Sequence, residues 1–277
     1  MLLDPDEIRY DFGGARFELP GDRDALGWIF SQFLYGEVTG IQVGHWIHHA
    51  PDLDKAQFLV RQCAQELSHV RLMRKVFDLL DTEPQPAHRV VKFLSTGLMG
   101  ADWNEHVCLE MALGEGYVLT AFYALVDTVP DATVRRLLRV AVRQEETHVG
   151  FGEAQTARAA RDLRVRRHLL GMSLVSLMAV RRLAASMGRR MQRQHPVWRQ
   201  LPGFARHTAA VSELRLRRMG VLDTPLSAMP RRRLWGLMAR GLAARAVSPL
   251  RPSRNRLLTR TYLDDPQIAR SPVAGPS

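Results

Sequence analysis

The feature that most restricts the fold of this chain is the pattern Glu-x-x-His, which occurs twice. The two motifs begin at Glu66 and Glu145 and end at His69 and His148, and each lies within a stretch whose apolar residues recur at helical spacing. Residues three apart share a helix face, so each motif directs a carboxylate and an imidazole into one volume. The 12 glutamates and 10 histidines of the sequence would give roughly 0.4 such motifs by chance. Two motifs therefore indicate a common site.

Each motif has a glutamate upstream of it, in the preceding predicted helix. Glu37 precedes Glu66 at a sequence separation of 29, and Glu115 precedes Glu145 at a separation of 30. In an antiparallel pair of helices of that length, such a separation puts both residues at one height. Burying four carboxylates together is costly unless cations neutralise them, and two divalent metal ions supply the required charge. Oxygen and nitrogen ligands without thiolates suit iron or manganese. The predicted ligands are Glu37, Glu66, His69, Glu115, Glu145 and His148.

The apolar periodicity predicts an all-α protein built on a four-helix bundle with additional C-terminal helices. Short loops are expected inside each helix pair, and residues 81–92 are expected to hold the crossover. A break is expected in the third helix near Gly97 or Gly100. The predicted bundle helices span roughly 22–50, 54–82, 90–128 and 131–161.

Three regions are expected along the chain. Residues 1–161 form the di-metal bundle, including a polar lead over 1–22. Residues 162–247 form a basic helical extension packed on or beside the bundle, and 248–277 form a poorly ordered tail rich in Pro, Arg and Ser. The helices predicted within the extension span 163–192, 203–219 and 231–246.

Composition and cysteine usage exclude several classes of protein. Apolar residues make up 46% of the chain and charged residues 24%, which is an ordinary globular mixture. The two cysteines, Cys63 and Cys108, have no CxxC partner, which argues against a disulfide framework or a thiolate zinc site. The acidic N-terminus does not resemble a signal peptide, and no uninterrupted apolar run is long enough to span a membrane. A cytoplasmic location, with peripheral membrane contact as an alternative, is expected.

Charge is distributed unevenly along the chain. Residues 1–160 carry 15 Lys and Arg against 23 Asp and Glu, whereas residues 161–277 carry 24 against 5, giving −8 and +19. The basic part could attract an acidic protein, such as a ferredoxin or an acyl carrier protein, or phospholipid. The apolar segment 169–180, flanked by arginines, has two interpretations: a helix lying on an anionic membrane or a fifth helix packed on the bundle. No motif supports binding to nucleic acid.

Residues 115–122 and 145–154 resemble the third and fourth ligand helices of the cyanobacterial aldehyde-deformylating oxygenases. These belong to the ferritin-like di-iron carboxylate superfamily, and the resemblance covers about residues 24–160. It implies a ferritin-like bundle in which the six predicted residues bind two iron ions, with manganese as an alternative in one position and O2 as co-substrate. It also implies that Glu66 and Glu115, or their counterparts, bridge the two ions.

Two features depart from the family pattern or leave a choice open. Gln65 and Gln144 stand where many members have an aspartate that accepts a proton from a ligating imidazole. Glu110, at a sequence separation of 35 from Glu145, is an alternative to Glu115 as the third-helix ligand. Because residues five apart do not share a face of an α-helix, only one of them is expected to reach the site, and Glu115 fits the spacing better.

The resemblance implies an O2-dependent di-iron oxidoreductase of the monooxygenase type. Its substrate is expected to be small and lipophilic, acyl or aromatic, free or tethered to a carrier protein. Hydroxylation, N-oxygenation, desaturation and deformylation all remain open. An external electron donor such as a ferredoxin is expected, and a homodimer is an alternative to a monomer. The alternative function is non-enzymatic iron binding or peroxide scavenging. The apolar neighbours of the predicted ligands favour a lipophilic substrate: Phe33, Leu34, Leu113 and Phe122.

Overall fold

The computed structural model describes residues 1–97, 99–190 and 195–247, and every regular element in these ranges is helical. The all-α prediction is therefore confirmed for this part of the chain. The predicted tail, 248–277, and the end of the helix predicted over 163–192 lie outside the described residues. The α-helices are α1 (Pro5–Ile8), α2 (Arg23–Gly40), α3 (Leu53–Leu80), α4 (Arg89–Lys92), α5 (Trp103–Glu105), α6 (Glu115–Thr128), α7 (Ala132–Ala159), α8 (Leu163–Arg190), α9 (Pro196–Arg218) and α10 (Arg231–Val247).

Further segments have a different helical winding. Ile41–His49 and Leu226–Ala228 are 3₁₀ helices, whereas Phe93–Gly97 and His106–Gly114 are wound as π-helix. The first predicted bundle helix therefore stops being α-helical at Gly40, although the chain stays helical to His49. The third predicted helix is interrupted at residues 99–102, which confirms the break expected near Gly100.

Aspartate caps set the starts of the two long helices that carry the Glu-x-x-His motifs. The Asp52 carboxylate accepts a hydrogen bond from the Lys55 amide at the start of α3. Asp131 caps α7 in the same way, accepting from the amides of Thr133 and Val134. Helix α2 packs against α3, α6 packs against α7, and α3 also contacts α7. These packing contacts place both motifs in one interior.

The segment that precedes α2, residues 1–22, contributes more to the core than a polar lead would. Leu3, Ile8, Phe12 and Phe17 are all buried and belong to the main hydrophobic cluster, which also contains residues of α9. The prediction missed this because four isolated apolar residues in a polar segment show no periodicity. Their burial depends on contact with α9, which lies in the last third of the chain.

The apolar segment within α8 is buried inside the protein. Leu169 and Met172 are fully buried, and α8 packs against α10 and the π-helical segment His106–Gly114. Because most of its apolar side chains are already covered, this burial favours the interpretation of 169–180 as a helix packed inside the protein. Helix α9 begins at Pro196, before the predicted start at 203, with the His195 side chain capping the Val197 amide.

A buried ion pair joins the basic extension to the helix that carries the second motif. Arg215 on α9 and Glu153 on α7 are both fully buried, and Nε of Arg215 donates to Oε1 of Glu153 over 2.9 Å. The other oxygen of Glu153 accepts from the Leu2 amide. Burial lowers the pKa of the Arg215 guanidinium, and the charge of Glu153 opposes this effect. This pair ties the N-terminus, α7 and α9 together.

Among the described residues, the helical stretch Trp103–Thr128 is long and apolar enough to span a membrane, with a mean hydropathy of 1.3 in its most apolar window of 18 residues. Of that window, 67% is buried inside the protein. This burial is typical of a helix at the centre of a protein core, which can be equally long and apolar.

Gly152 on α7 allows close packing against the π-helical segment, and its replacement tests this contact. A Cβ atom there would lie 2.7 Å from the Ala112 amide nitrogen, which belongs to the backbone and cannot easily move. We expect Gly152→Ala to lower the free energy of unfolding by about 1–3 kcal/mol through overpacking. The measurement is chemical denaturation.

The control is Gly36→Ala in α2, where an added Cβ meets no atom within 4 Å. This control should be neutral or stabilising, because alanine favours a helix over glycine by up to about 1 kcal/mol. Equal stability of the two variants would contradict the close packing of α7 against the segment His106–Gly114.

Candidate metal centre

The six residues predicted as ligands come together in the interior between α2, α3, α6 and α7. Five of them are buried; the Glu115 side chain is 19% exposed and borders a cavity. They form two groups whose potential ligand atoms lie within 4.8 Å of one another. One group contains Glu37, Glu66, His69 and Glu145, and the other contains Glu66, Glu115 and His148.

The imidazole of His69 lies at the centre of the first group. Its Nδ1 atom is 2.9 Å from Oε2 of Glu37 and 3.2 Å from Oε1 of Glu145. Oε2 of Glu66, one turn earlier on the same helix, is 3.8 Å away. Three carboxylates thus surround one ring nitrogen.

The imidazole of His148 occupies the equivalent place in the second group. Its Nδ1 atom is 3.3 Å from Oε1 of Glu66, 3.6 Å from Oε2 of Glu145 and 3.7 Å from Oε2 of Glu115. Glu66 and Glu145 therefore contact both imidazoles, while Glu37 contacts His69 and Glu115 contacts His148. The second carboxylate that contacts both imidazoles, besides Glu66, is therefore that of Glu145 and not that of Glu115.

Two glutamines orient the imidazoles in a crossed arrangement. Nε2 of His69 is 2.7 Å from Oε1 of Gln144 on α7, and Nε2 of His148 is 2.7 Å from Oε1 of Gln65 on α3. An amide oxygen can only accept, so each imidazole donates from Nε2 and Nδ1 faces the carboxylates. The expectation that these glutamines replace the aspartates of the family as proton acceptors fits this geometry. Sequence spacing did not show that each glutamine serves the histidine of the opposite motif.

Two nearby residues were not predicted. Gln62 lies one turn before Glu66 on α3 and is buried, and its Nε2 donates to Oε1 of Glu115 over 2.5 Å. Gly40 lies so close to the site that a Cβ atom there would be 2.7 Å from Oε2 of Glu66. The spacing of four between Gln62 and Glu66 could have suggested the first residue, because such residues share a helix face.

The protonation equilibria of the site reflect its burial and its excess of carboxylates. Burial, with the neighbouring carboxylate charges, raises the pKa of Glu115 well above its usual range, and burial likewise raises the pKa of Glu37. Burial alone would lower the pKa of His69, but the charge of Glu37 and the close approach of the Glu145 and Glu66 carboxylates raise it. Burial opposes ionisation of Glu145, yet the close approach of the His148 and His69 imidazoles lowers its pKa to about 2. Without a cation, the cluster retains protons that a metal ion would displace.

The atoms that face the centre of the cluster lack other partners. Oε1 of Glu66, Oε2 of Glu115, Oε2 of Glu145 and Nδ1 of His148 are buried and make no hydrogen bond within the described part of the chain. Buried polar atoms are normally paired, so four such atoms in one place require an explanation. Four carboxylates and two imidazoles are the ligand set of a di-metal carboxylate site, and divalent cations would satisfy these atoms.

Glu110, the alternative third-helix ligand, lies outside both groups. Its carboxylate accepts from the Gly100 amide and lies 3.0 Å from Nδ1 of His106. Glu110 and Glu115 nevertheless line the same cavity, contrary to the expectation that they face different sides. The reason is the π-helical winding between them, in which the Glu115 amide bonds to the Glu110 carbonyl five residues back.

A cavity of about 350 Å³ adjoins the cluster, and four of the carboxylates form part of its wall: Glu37, Glu66, Glu115 and Glu145. Away from the carboxylates the wall is mainly apolar. It includes Phe33 of α2, Phe12 and Phe17 of the N-terminal segment, and Trp198 and Phe204 of α9. The other three residues expected near the substrate are buried in the core: Leu34, Leu113 and Phe122.

Comparison with known proteins assigns neither a family nor a function to this chain. No protein-family model matches the sequence, and no significant similarity to a curated protein or to a solved structure was found. The metal site is therefore inferred from the geometry of these side chains.

Neutralising Glu145 should impair metal binding, because this carboxylate contacts both imidazoles. We expect Glu145→Gln to retain at most half the iron bound by the unmodified protein, measured by elemental analysis after anaerobic loading and desalting. Removal of one negative charge weakens both halves of the site.

Glu146→Gln is the matched control. Glu146 adjoins Glu145 in sequence but accepts a hydrogen bond from the Tyr123 hydroxyl and belongs to neither ligand group. This variant should bind as much iron as the unmodified protein. Equal iron losses in the two variants would contradict the assignment of Glu145.

Proposed function

We propose that the protein is an O2-dependent di-iron oxidoreductase of the monooxygenase type. The observation that carries this proposal is the convergence of six metal-ligating side chains, in two groups that share Glu66, beside an apolar cavity. On this proposal α2, α3, α6 and α7 form a ferritin-like four-helix bundle. Residues 1–161 would then be the bundle domain and 162–247 a helical extension.

The contacts of the two histidines suggest how the ligands are divided. Glu37 and His69 would hold one ion, Glu115 and His148 would hold the other, and Glu66 and Glu145, which lie near both imidazoles, would contribute to both. Iron is proposed for both positions, with manganese as an alternative in one. When bound, such ions would supply redox chemistry with O2, for which an external donor would have to provide the electrons.

The contribution of the chain is to hold the ligands and to exclude water. Gln65 and Gln144 fix the imidazole rings with Nδ1 facing inward. The aromatic wall keeps the space beside the carboxylates apolar, which favours binding of a lipophilic, acyl or aromatic molecule. Hydroxylation, N-oxygenation, desaturation and deformylation are the reactions proposed for such a substrate.

The second candidate is non-enzymatic iron binding or peroxide scavenging. The observation that favours an enzyme over this candidate is the cavity, because iron storage or peroxide removal does not require about 350 Å³ of mainly apolar space beside the ligands. On this proposal the extension would take part in substrate binding, because α9 contributes to the cavity wall.

The partners proposed for this enzyme follow from its charge. Residues 161–277 carry a formal charge of +19, and Arg231, Arg232 and Arg233 at the start of α10 are exposed. An acidic electron donor such as a ferredoxin, or a carrier protein holding the substrate, could dock on such a surface. Contact with an anionic membrane is a further proposal that rests on this charge. We also propose a cytoplasmic location and a homodimer.

Iron loading combined with O2 consumption tests the proposed activity. The full-length protein is loaded anaerobically with Fe²⁺, reduced and mixed with O2 together with acyl and aromatic compounds. We expect about two iron ions per chain and O2 uptake that continues over many turnovers when a substrate and a reductant are present. Protein loaded with Zn²⁺ is the control and should consume none. Uptake that stops after one oxidation of the iron and leaves ferric mineral would instead support storage.

Metal binding should become tighter as the pH rises from about 5.5 to 7.5. The pKa values of Glu37, Glu115 and His69 are raised in the metal-free protein, so protons compete with the cations at low pH and are released on binding. Titration with Fe²⁺ under anaerobic conditions measures the affinity, and thermal unfolding measures the accompanying stabilisation. An affinity that is unchanged or falls over this range would contradict binding at the cluster.

A further inference from the structure

Gln42 has an unused side-chain amide. It lies in the 3₁₀ segment Ile41–His49, two positions beyond Gly40, and is 6% exposed. Both Nε2 and Oε1 are buried without a hydrogen bond to any described residue, and Gln42 is one of the residues that line the cavity. A buried amide normally uses both its donor and its acceptor. An unused pair in a cavity wall therefore points to a ligand that supplies the missing partners.

His106 also lines the cavity and carries a second unused polar atom. It is 1% exposed, and its ring stacks on that of Trp46 with centroids 4.6 Å apart. Its Nδ1 lies at ion-pair distance from Glu110, although the contact is not aligned as a hydrogen bond, and its Nε2 has no hydrogen-bond partner among the described residues. Trp46 belongs to the same 3₁₀ segment as Gln42, so stacking holds this segment against the π-helical segment that carries His106.

Gln32 shows that an amide in this wall can be fully paired. It also lines the cavity, but its Nε2 donates to the Trp28 carbonyl over 2.8 Å and its Oε1 accepts from the His88 amide over 2.7 Å. The two glutamines share a cavity and a chemical type and differ in hydrogen bonding. The missing hydrogen bonds of Gln42 therefore result from its position in the wall and not from its residue type.

We propose that Gln42 and His106 form a polar subsite that binds a neutral carboxamide group of an otherwise apolar substrate. The substrate carbonyl would accept from Nε2 of Gln42, the substrate N–H would donate to Oε1 of Gln42, and Nε2 of His106 would complete the contacts. A carboxylate is disfavoured because Glu110 and the four carboxylates of the cluster also line the cavity. The inference rests on the proposed function for the reaction that follows, but binding itself requires neither iron nor O2.

Ligand binding by the full-length protein, as purified and after loading with Zn²⁺, tests this subsite. Naphthalene, followed by its fluorescence, reports on the apolar cavity alone, and octanamide and octanoate are titrated as competitors. We expect octanamide to bind at least about tenfold more tightly than octanoate. Gln42→Met should weaken octanamide binding about tenfold or more and leave naphthalene binding within about threefold, because methionine keeps the shape and removes both polar atoms.

Gln32→Met is the matched control and should not change the preference for octanamide over naphthalene. His106→Phe, which keeps an aromatic ring against Trp46, is a second variant and should also weaken octanamide selectively. Equal octanamide affinity in Gln42→Met and Gln32→Met, or octanoate binding as tight as octanamide in the unmodified protein, would overturn the proposal.

These outcomes separate the subsite from the proposed function. Suppose that octanamide binding depends on Gln42 but the protein neither binds iron nor consumes O2. This result would contradict the proposed enzyme function and support the proposed subsite. Iron-dependent O2 consumption without an octanamide preference would reject the subsite alone.

Discussion

The convergence of four carboxylates, three of them buried and the fourth half-buried, is the constraint on which the rest of this structure depends. Transferring several like charges from water into one site in the protein interior costs free energy unless opposite charge accompanies them. Two imidazoles that donate outward to glutamines do not provide that charge in their neutral form. The raised pKa values of Glu37 and Glu115 show how the site compensates with protons, which divalent cations would replace. Metal binding and folding should therefore be coupled in this protein.

The regions outside the four site-bearing helices shape the cavity beside the cluster. Phe12 and Phe17 from the N-terminal segment meet Trp198 and Phe204 from α9 in its wall. The buried pair of Arg215 and Glu153 links α9 to α7, the helix that carries the second motif. A metal-ligating cluster alone would suit many functions, whereas the cavity bordered by distant parts of the chain is what favours the proposed binding of an organic molecule.

The sequence predicted the helical class and the convergence of the six candidate ligands because both depend on local periodicity and helix length. Residues three apart on an α-helix share a face in nearly any context, and spacings of 29 and 30 set the height of Glu37 and Glu115. The choice between Glu110 and Glu115 was not settled in this way. It depends on a π-helical segment that brings both to one cavity, and apolar periodicity does not reveal such winding.

Contacts between distant segments were equally hard to predict. The buried N-terminal residues, the early start of α9 and the pairing of Arg215 with Glu153 all depend on packing between parts of the chain far apart in sequence. The crossed hydrogen bonds of Gln65 and Gln144 depend on the relative position of α3 and α7. Local patterns identified these glutamines but not their partners.

The most direct test of the central claim is anomalous X-ray diffraction at the iron edge from crystals of the iron-loaded protein. We expect two anomalous peaks per chain, about 3.5–4 Å apart, between Glu66 and Glu145, with one beside His69 and the other beside His148. Iron peaks confined to the protein surface, or no peak among these side chains in fully loaded crystals, would contradict the di-metal site.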